Sequence, residues 1–139
     1  MTVELSGEVL VDLPPQQAYT YFTPEGERTW AGGHWDPQYP AGLTDDTAVG
    51  TVFVTGATTW IVLDAEPGRF VRYARTTPGD RAGLVSVSLT GTPEQTRATV
   101  TYMLTALSED ARTGLDEFAA GYPAFLASWQ DAIAASLGP

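Results

Sequence analysis

The stretch SEDARTGLDEFAAGYPAFLASWQDAIAASL, residues 108–137, decides the fold. Its large apolar residues fall on one stripe: Leu115, Phe118, Tyr122, Phe125, Trp129, Ile133 and Leu137. Spacings of three and four gather them on one wall of a helix. Ser108 ahead of Glu109 and Asp110 suits the start of that helix. Gly121 and Pro123 predict a bend near its middle.

Immediately upstream the apolar period changes from that of a helix to two. Segments Gly50 to Gly56, Thr58 to Ala65, Phe70 to Thr76, Leu84 to Gly91 and Thr96 to Leu107 read as strands. They are separated by Gly56-Ala57, Glu66-Pro67-Gly68, Pro78-Gly79-Asp80 and Thr92-Pro93-Glu94, which are turn chemistry. Connections this short make antiparallel neighbours. Further upstream, Val3 to Leu13 alternates, with Val3, Leu5, Val9, Val11 and Leu13 on one face and Glu4, Ser6, Glu8 and Asp12 on the other. This is a half-buried strand. Pro14 and Pro15 end it and suit a short helix with Ala18, Tyr19 and Phe22 on its apolar face. Thr23 as N-cap and Pro24 at the first position open a second helical turn toward Trp30, with Glu25 and Glu27 near its positive end. Residues 31–46 carry Gly, Pro and Asp throughout and form a loop that holds Trp35 and Tyr39.

The order is strand, two short helices, five strands, long helix. It predicts an α+β fold over residues 1–139 as a single domain: a curved antiparallel sheet of about six strands wrapped around a long C-terminal helix. In this order the chain resembles the START-like superfamily with the helix-grip fold, which includes the birch-pollen allergen, lipid-transfer domains and bacterial polyketide cyclases. The stretch FTPEGERTW, residues 22–30, followed by Trp35-Asp36-Pro37, is similar to a bacterial, uncharacterised branch described only as SRPBCC family proteins. The resemblance implies a deep cavity between sheet and helix that binds hydrophobic or polycyclic molecules. It carries over no catalytic residue.

Composition narrows the function classes. The chain has 139 residues and no cysteine, which excludes disulfides, thiolate metal sites and a cysteine nucleophile. Its seven positive charges are all arginine, and seventeen carboxylates bring the formal charge to −10. Such a surface repels nucleic acid and anionic membranes. No apolar run is long enough to span a bilayer, and the start Met-Thr-Val-Glu-Leu-Ser-Gly-Glu has no signal-peptide pattern. The expected setting is a bacterial cytoplasm. His34 is the sole imidazole, so no His-pair metal site is expected; the Gly-rich spots lack the Lys and the strand-to-helix context of a phosphate-cradling loop, and no metal or organic cofactor is implied.

Strand faces orient the candidate site. Val100, Tyr102 and Leu104 point inward against Thr99, Thr101 and Thr105; Val85, Val87 and Leu89 oppose Ser86 and Ser88. Val71 and Tyr73 inward carry Arg75 with them, and aromatic bulk turns Trp60 inward. Arg75 in a cavity needs a carboxylate or a ligand oxyanion, with Glu27 the nearest partner by topology; otherwise it ends at the strand edge in water. Glu27 is either a general base raised by desolvation or a helix brace. His34 is either an exposed loop residue or an acid or base at the cavity mouth. Tyr73, Tyr102 and Tyr122 either donate to a ligand oxygen or pack with a nearby partner. Trp30, Trp35, Trp60 and Trp129 offer stacking faces. The expected ligand wall is Trp30, Trp35, Trp60, Tyr73, Arg75, Val87, Tyr102, Phe118, Tyr122 and Phe125. Asp45-Asp46 and Glu109-Asp110 read as solvated turn punctuation.

Three functions are compatible with this reading. The first is a carrier or sequestering protein for a small hydrophobic or polycyclic ligand. The second is a polyketide aromatase or cyclase acting through Tyr, Arg75, Glu27 or His34. The third is an interaction module, for which the Thr- and Ser-rich outward faces offer no apolar patch. The chain is expected as a monomer or homodimer.

Overall fold

β1 (Thr2–Val11) buries Val9 and Val11 while Glu4, Glu8 and Leu10 face outward, as its two-residue period demands. The computed structural model describes residues 1–138; Pro139, the last residue of the expected 1–139 domain, lies outside the described residues. A four-residue helix α1 (Pro15–Ala18) follows, then two 3-10 turns, Tyr19–Phe22 and Gly26–Thr29. The N-cap position of the second turn is Glu25 and not the expected Thr23, whose hydroxyl accepts from the Gly26 N–H at 3.0 Å just ahead of it.

The remaining strands are β2 (Val52–Thr55), β3 (Thr58–Glu66), β4 (Phe70–Thr77), β5 (Arg81–Gly91) and β6 (Thr96–Ala106). All pairings are antiparallel, in the order β1-β6-β5-β4-β3-β2. β2 to β6 form a meander, and β1 adds itself beyond β6, so the first strand occupies one edge and β2 the other. At Gly83 the strands pass so closely that a Cβ would stand 1.9 Å from the Met103 carbonyl oxygen. Only glycine permits that approach.

Trp60 and Val62 face inward as expected, and the register then slips between Val62 and Asp64. This bulge turns Asp64 out to solvent instead of carrying it into the core behind Val62. The outer face corrects the expectation of no apolar patch. Val52, Ile61, Ala74, Leu84 and Met103 are successive cross-strand partners, so an apolar row crosses five strands. Ile61, Leu84 and Met103 are about two-fifths exposed (39–41%). The row runs beside the polar row Arg72, Ser86 and Thr101.

The C-terminal stretch is sharper than a bent helix. α2 (Glu109–Ala120) and α3 (Tyr122–Ser136) are separate, joined at Gly121. Pro123 has no N–H for the preceding turn and its ring crowds it, so the ladder is interrupted. Ser108 caps α2, accepting from the Ala111 N–H at 3.1 Å while its own hydroxyl donates to the Gly79 carbonyl at 2.9 Å. α3 lies over β1: the Leu10 N–H donates to Gln130 Oε1 at 2.8 Å, and a Cβ at Gly7 would stand 2.6 Å from Leu126 Cδ1. Leu115, Tyr122, Leu126 and Ile133 are buried against the sheet. No helix among the described residues is long and apolar enough to cross a membrane.

Candidate functional site

The predicted helical stripe divides in two. Leu115, Tyr122 and Ile133 close the core, whereas Phe118, Phe125 and Trp129 are half-buried and border a cavity of about 570 Å³. That volume suits a drug-sized molecule, for which sites run from about 300 to 1,000 Å³. The strands supply Phe53, Trp60, Tyr73, Val85, Val87 and Tyr102 from the concave face. The turn Gly26–Thr29 and the loop after it supply Glu27, Trp30, His34 and Trp35. The exposed residues His34, Gly56 and Ser128 mark where the cavity reaches solvent.

Two aromatic clusters form the walls. On one side Phe53 stacks on Trp60 with centroids 5.7 Å apart and planes 2° from parallel, and Trp35 and Tyr73 meet both rings edge-on. On the other, Tyr102, Phe118, Phe125 and Trp129 pack in tilted and edge-on pairs, and Trp30 joins through Trp129 at 5.3 Å. Most polar edges of these rings are already engaged. Trp30 Nε1 donates to the Tyr21 carbonyl, Trp35 Nε1 to that of Pro24, Trp60 Nε1 to Thr55 Oγ1, and the Tyr73 hydroxyl to the Phe22 carbonyl, all at 2.8–2.9 Å. The rings therefore turn apolar faces to the cavity.

Three polar groups are not engaged in this way. The Glu27 carboxylate makes no hydrogen bond or ion pair with the described residues, and desolvation pushes its pKa well above the ordinary carboxylate range. Glu27 as a whole is half-buried, since it borders the cavity. The Tyr102 hydroxyl likewise has no hydrogen-bond partner among the described residues. Burial first, and then the charge of Glu27, raise its pKa, with Arg75 acting the other way. Arg75 sits in register between Trp60 and Gly83, its guanidinium 5.4 Å from the Trp60 ring centroid. Its Nη2 donates to Thr77 Oγ1 at 2.6 Å, and its buried Nε has no acceptor. Desolvation lowers its pKa, and Arg81 adds to the effect.

The expected Glu27–Arg75 pair is not formed: both border the cavity, yet no ion pair joins them. Nor does Glu27 brace its helical turn. Glu25 does so, its carboxylate accepting from Arg28 Nε at 2.9 Å and from the Tyr39 hydroxyl at 2.7 Å. Arg28 extends the lock to Asp36 and the Pro37 carbonyl. Asp46, expected as solvated punctuation, accepts from the Glu25 N–H at 2.9 Å and ties the loop to the same turn.

Among the sequence-predicted wall residues, Trp30, Trp35, Trp60, Tyr73, Arg75, Val87, Tyr102, Phe118 and Phe125 border the cavity, as do His34 and Glu27. Tyr122 does not. It is 3% exposed and its hydroxyl donates to the Val100 carbonyl at 2.6 Å, which fixes it as a brace between α3 and β6. Phe53 was not legible as a wall residue. Its strand, Val-Phe-Val, is apolar on both faces, so no alternation chose a side.

No protein-family model matches the chain, and no curated protein matches it significantly. Solved structures do. The chain has the helix-grip fold. It is similar to protein MLL2253 from Mesorhizobium loti, at 21% identity over 96% of each chain with a TM-score of 0.65. It is also similar to the Aha1 dimer from Colwellia psychrerythraea, at 19% identity over 94% of this chain and 96% of that one with a TM-score of 0.62. DynU16, a protein in the dynemicin biosynthetic locus, matches 91% of this chain at 17% identity with a TM-score of 0.56, and the match spans 46% of DynU16. At these identities the likeness is one of fold.

Proposed function

We propose that this protein, acting as a single domain over residues 1–139 and as a member of the bacterial SRPBCC branch, binds a small hydrophobic or polycyclic molecule as a carrier or sequestering protein. One observation carries the reading: a cavity of about 570 Å³ whose walls are aromatic faces with most of their polar edges already engaged. A planar apolar ligand entering it would gain buried area without stranding those polar groups. The place of DynU16 in a biosynthetic locus supports a small-molecule role for the fold. All four tryptophans border the cavity, so they provide the readout. Titration with anthracene derivatives is expected to quench tryptophan emission to saturation. Ala132→Trp, which narrows the cavity from α3, is expected to weaken binding at least about tenfold, a loss of about 1.4 kcal/mol. Absence of saturable quenching up to the solubility limit of the probes would refute the proposal.

Proton-transfer chemistry of the aromatase or cyclase kind is a second reading, favoured by the free Glu27 carboxyl and Tyr102 hydroxyl facing one space. A carboxyl whose pKa is raised well above its ordinary range by desolvation can both accept and return a proton. Glu27→Gln and Tyr102→Phe are then expected to slow turnover of a poly-β-ketone by about 100-fold or more. Undiminished turnover in both variants would remove this reading.

A further inference from the structure

Arg75 has the one guanidinium that borders the cavity, and its electrostatic situation differs from that of the other arginines. Arg28, Arg69, Arg81, Arg97 and Arg112 each hold a carboxylate at 3.8 Å or less. Arg72 lies on the outer face over the Phe70 ring, exposed to solvent. Arg75 is half-buried, has no ion pair, and makes one hydrogen bond, to Thr77. The Thr77 hydroxyl is itself held by Thr58 at 2.6 Å, so the guanidinium is fixed in place before any ligand arrives. Glu27 does not neutralise it, and Asp80 behind it is already paired with Arg81 at 2.9 Å. A half-buried cation without a counter-ion, and a buried Nε–H without an acceptor, are costly to the folded protein alone. An acidic oxygen supplied by a ligand would relieve the first, by giving the cavity-facing guanidinium a counter-ion.

Resting on the binding function proposed above, we infer that the ligand is an aromatic monocarboxylate, its ring system between the two aromatic clusters and its carboxylate on Arg75 and the free Tyr102 hydroxyl. The arrangement explains why one uncompensated positive charge stands in the cavity of a chain whose formal charge is −10. Arginine suits the task because its charge persists despite burial and its planar edge matches a carboxylate. Tyr102 adds an O–H donor from the neighbouring wall. The other titratable groups facing this space are Glu27, Tyr73 and His34. The Tyr73 hydroxyl is engaged by Phe22, and His34 lies at the mouth.

The test compares anthracene-2-carboxylate with its uncharged methyl ester by tryptophan quenching of the intact protein. The acid is expected to bind about tenfold tighter or more, the scale of a hydrogen bond to a charged group. Arg75→Gln is expected to bring the two affinities together, with circular dichroism confirming that the variant is folded. Equal affinities in the unmodified protein would overturn the inference while leaving the binding function standing, and this comparison needs no variant. Survival of the acid preference in Arg75→Gln would overturn it too. If neither compound binds, the proposed function and this inference fall together.

Discussion

Glu25, at the N-cap of the 3-10 turn Gly26–Thr29, and Glu27, inside it, stand two residues apart and have opposite environments. Glu25 is held by Arg28, Tyr39 and the loop, whereas Glu27 faces the cavity with no partner among the described residues. Sequence alone could place both near the turn, but not say which one the loop would take, because that depends on how residues 31–46 fold back. The difference has a thermodynamic sign. The folded-state pKa of Glu27 is raised above its unfolded value, so the native state holds a proton that the unfolded chain has released. Its contribution is fully present below the unfolded pKa and is lost as pH rises through the folded pKa. Glu27→Gln, which cannot ionise, is therefore expected to raise Tm at pH 8 and to change it little at pH 4. Each kcal/mol recovered corresponds to about 4 °C for a chain of this size. A variant less stable at pH 8 than at pH 4, relative to the parent protein, would contradict the assignment. Tyr122 offers the complementary case. Tyr122→Phe removes the donor to the buried Val100 carbonyl and is expected to cost about 1–2 kcal/mol in urea unfolding. Because Tyr122 lies outside the cavity, probe affinity should stay within about twofold. A large loss of binding with no loss of stability would return it to the ligand wall.

At the scale of elements, the strands were legible wherever polar and apolar residues alternate. β5 and β6 show this plainly, with Val85, Val87, Val100 and Tyr102 inside and Ser88, Thr90 and Thr105 outside. Legibility failed where the pattern is uniform, as in β2, or where one extra residue shifts the register, as at Leu63 in β3. The apolar row through Ile61, Leu84 and Met103 is not visible in the sequence because it runs across strands, and adjacency across strands is set by register rather than by sequence order. The C-terminal stripe was visible as a wall, but one period cannot separate residues that seal the core from residues that line an empty space. That division comes from the break at Gly121, which sets α3 close against β1 and leaves Phe118, Phe125 and Trp129 over the concave face. Gly7 controls the close approach. Gly7→Ala places a methyl 2.6 Å from Leu126 Cδ1, so either Leu126 changes rotamer or α3 lifts. The expected cost is about 1–3 kcal/mol, typical of overpacking. Pairing it with Leu126→Ala should recover part of that cost by making room. A double variant no more stable than the sum of the two single effects would show that the contact does not limit the packing of α3.

For the whole molecule, charge is the dominant long-range property. Seventeen carboxylates against seven arginines leave a negative field, and most of the arginines are locally paired at the surface. An anionic ligand must cross that field before it meets Arg75, whereas a neutral one need not. Screening shortens the field's reach to about 10 Å at 0.1 M salt and about 3 Å at 1 M. Added salt should therefore act on the two members of the acid and ester pair differently. The association rate of anthracene-2-carboxylate is expected to rise by on the order of threefold between 20 mM and 500 mM sodium chloride, because repulsion during approach is removed. Its dissociation rate should change less, since the contact with Arg75 is half-buried and poorly screened. The ester should show no matching rise in association rate. Stopped-flow quenching of tryptophan emission separates the two rates for both compounds. A carboxylate association rate that falls with salt would mean that the cavity mouth, rather than the protein as a whole, sets the field the ligand meets. The positive charge of Arg75 would then act at a distance as a steering group as well as at contact.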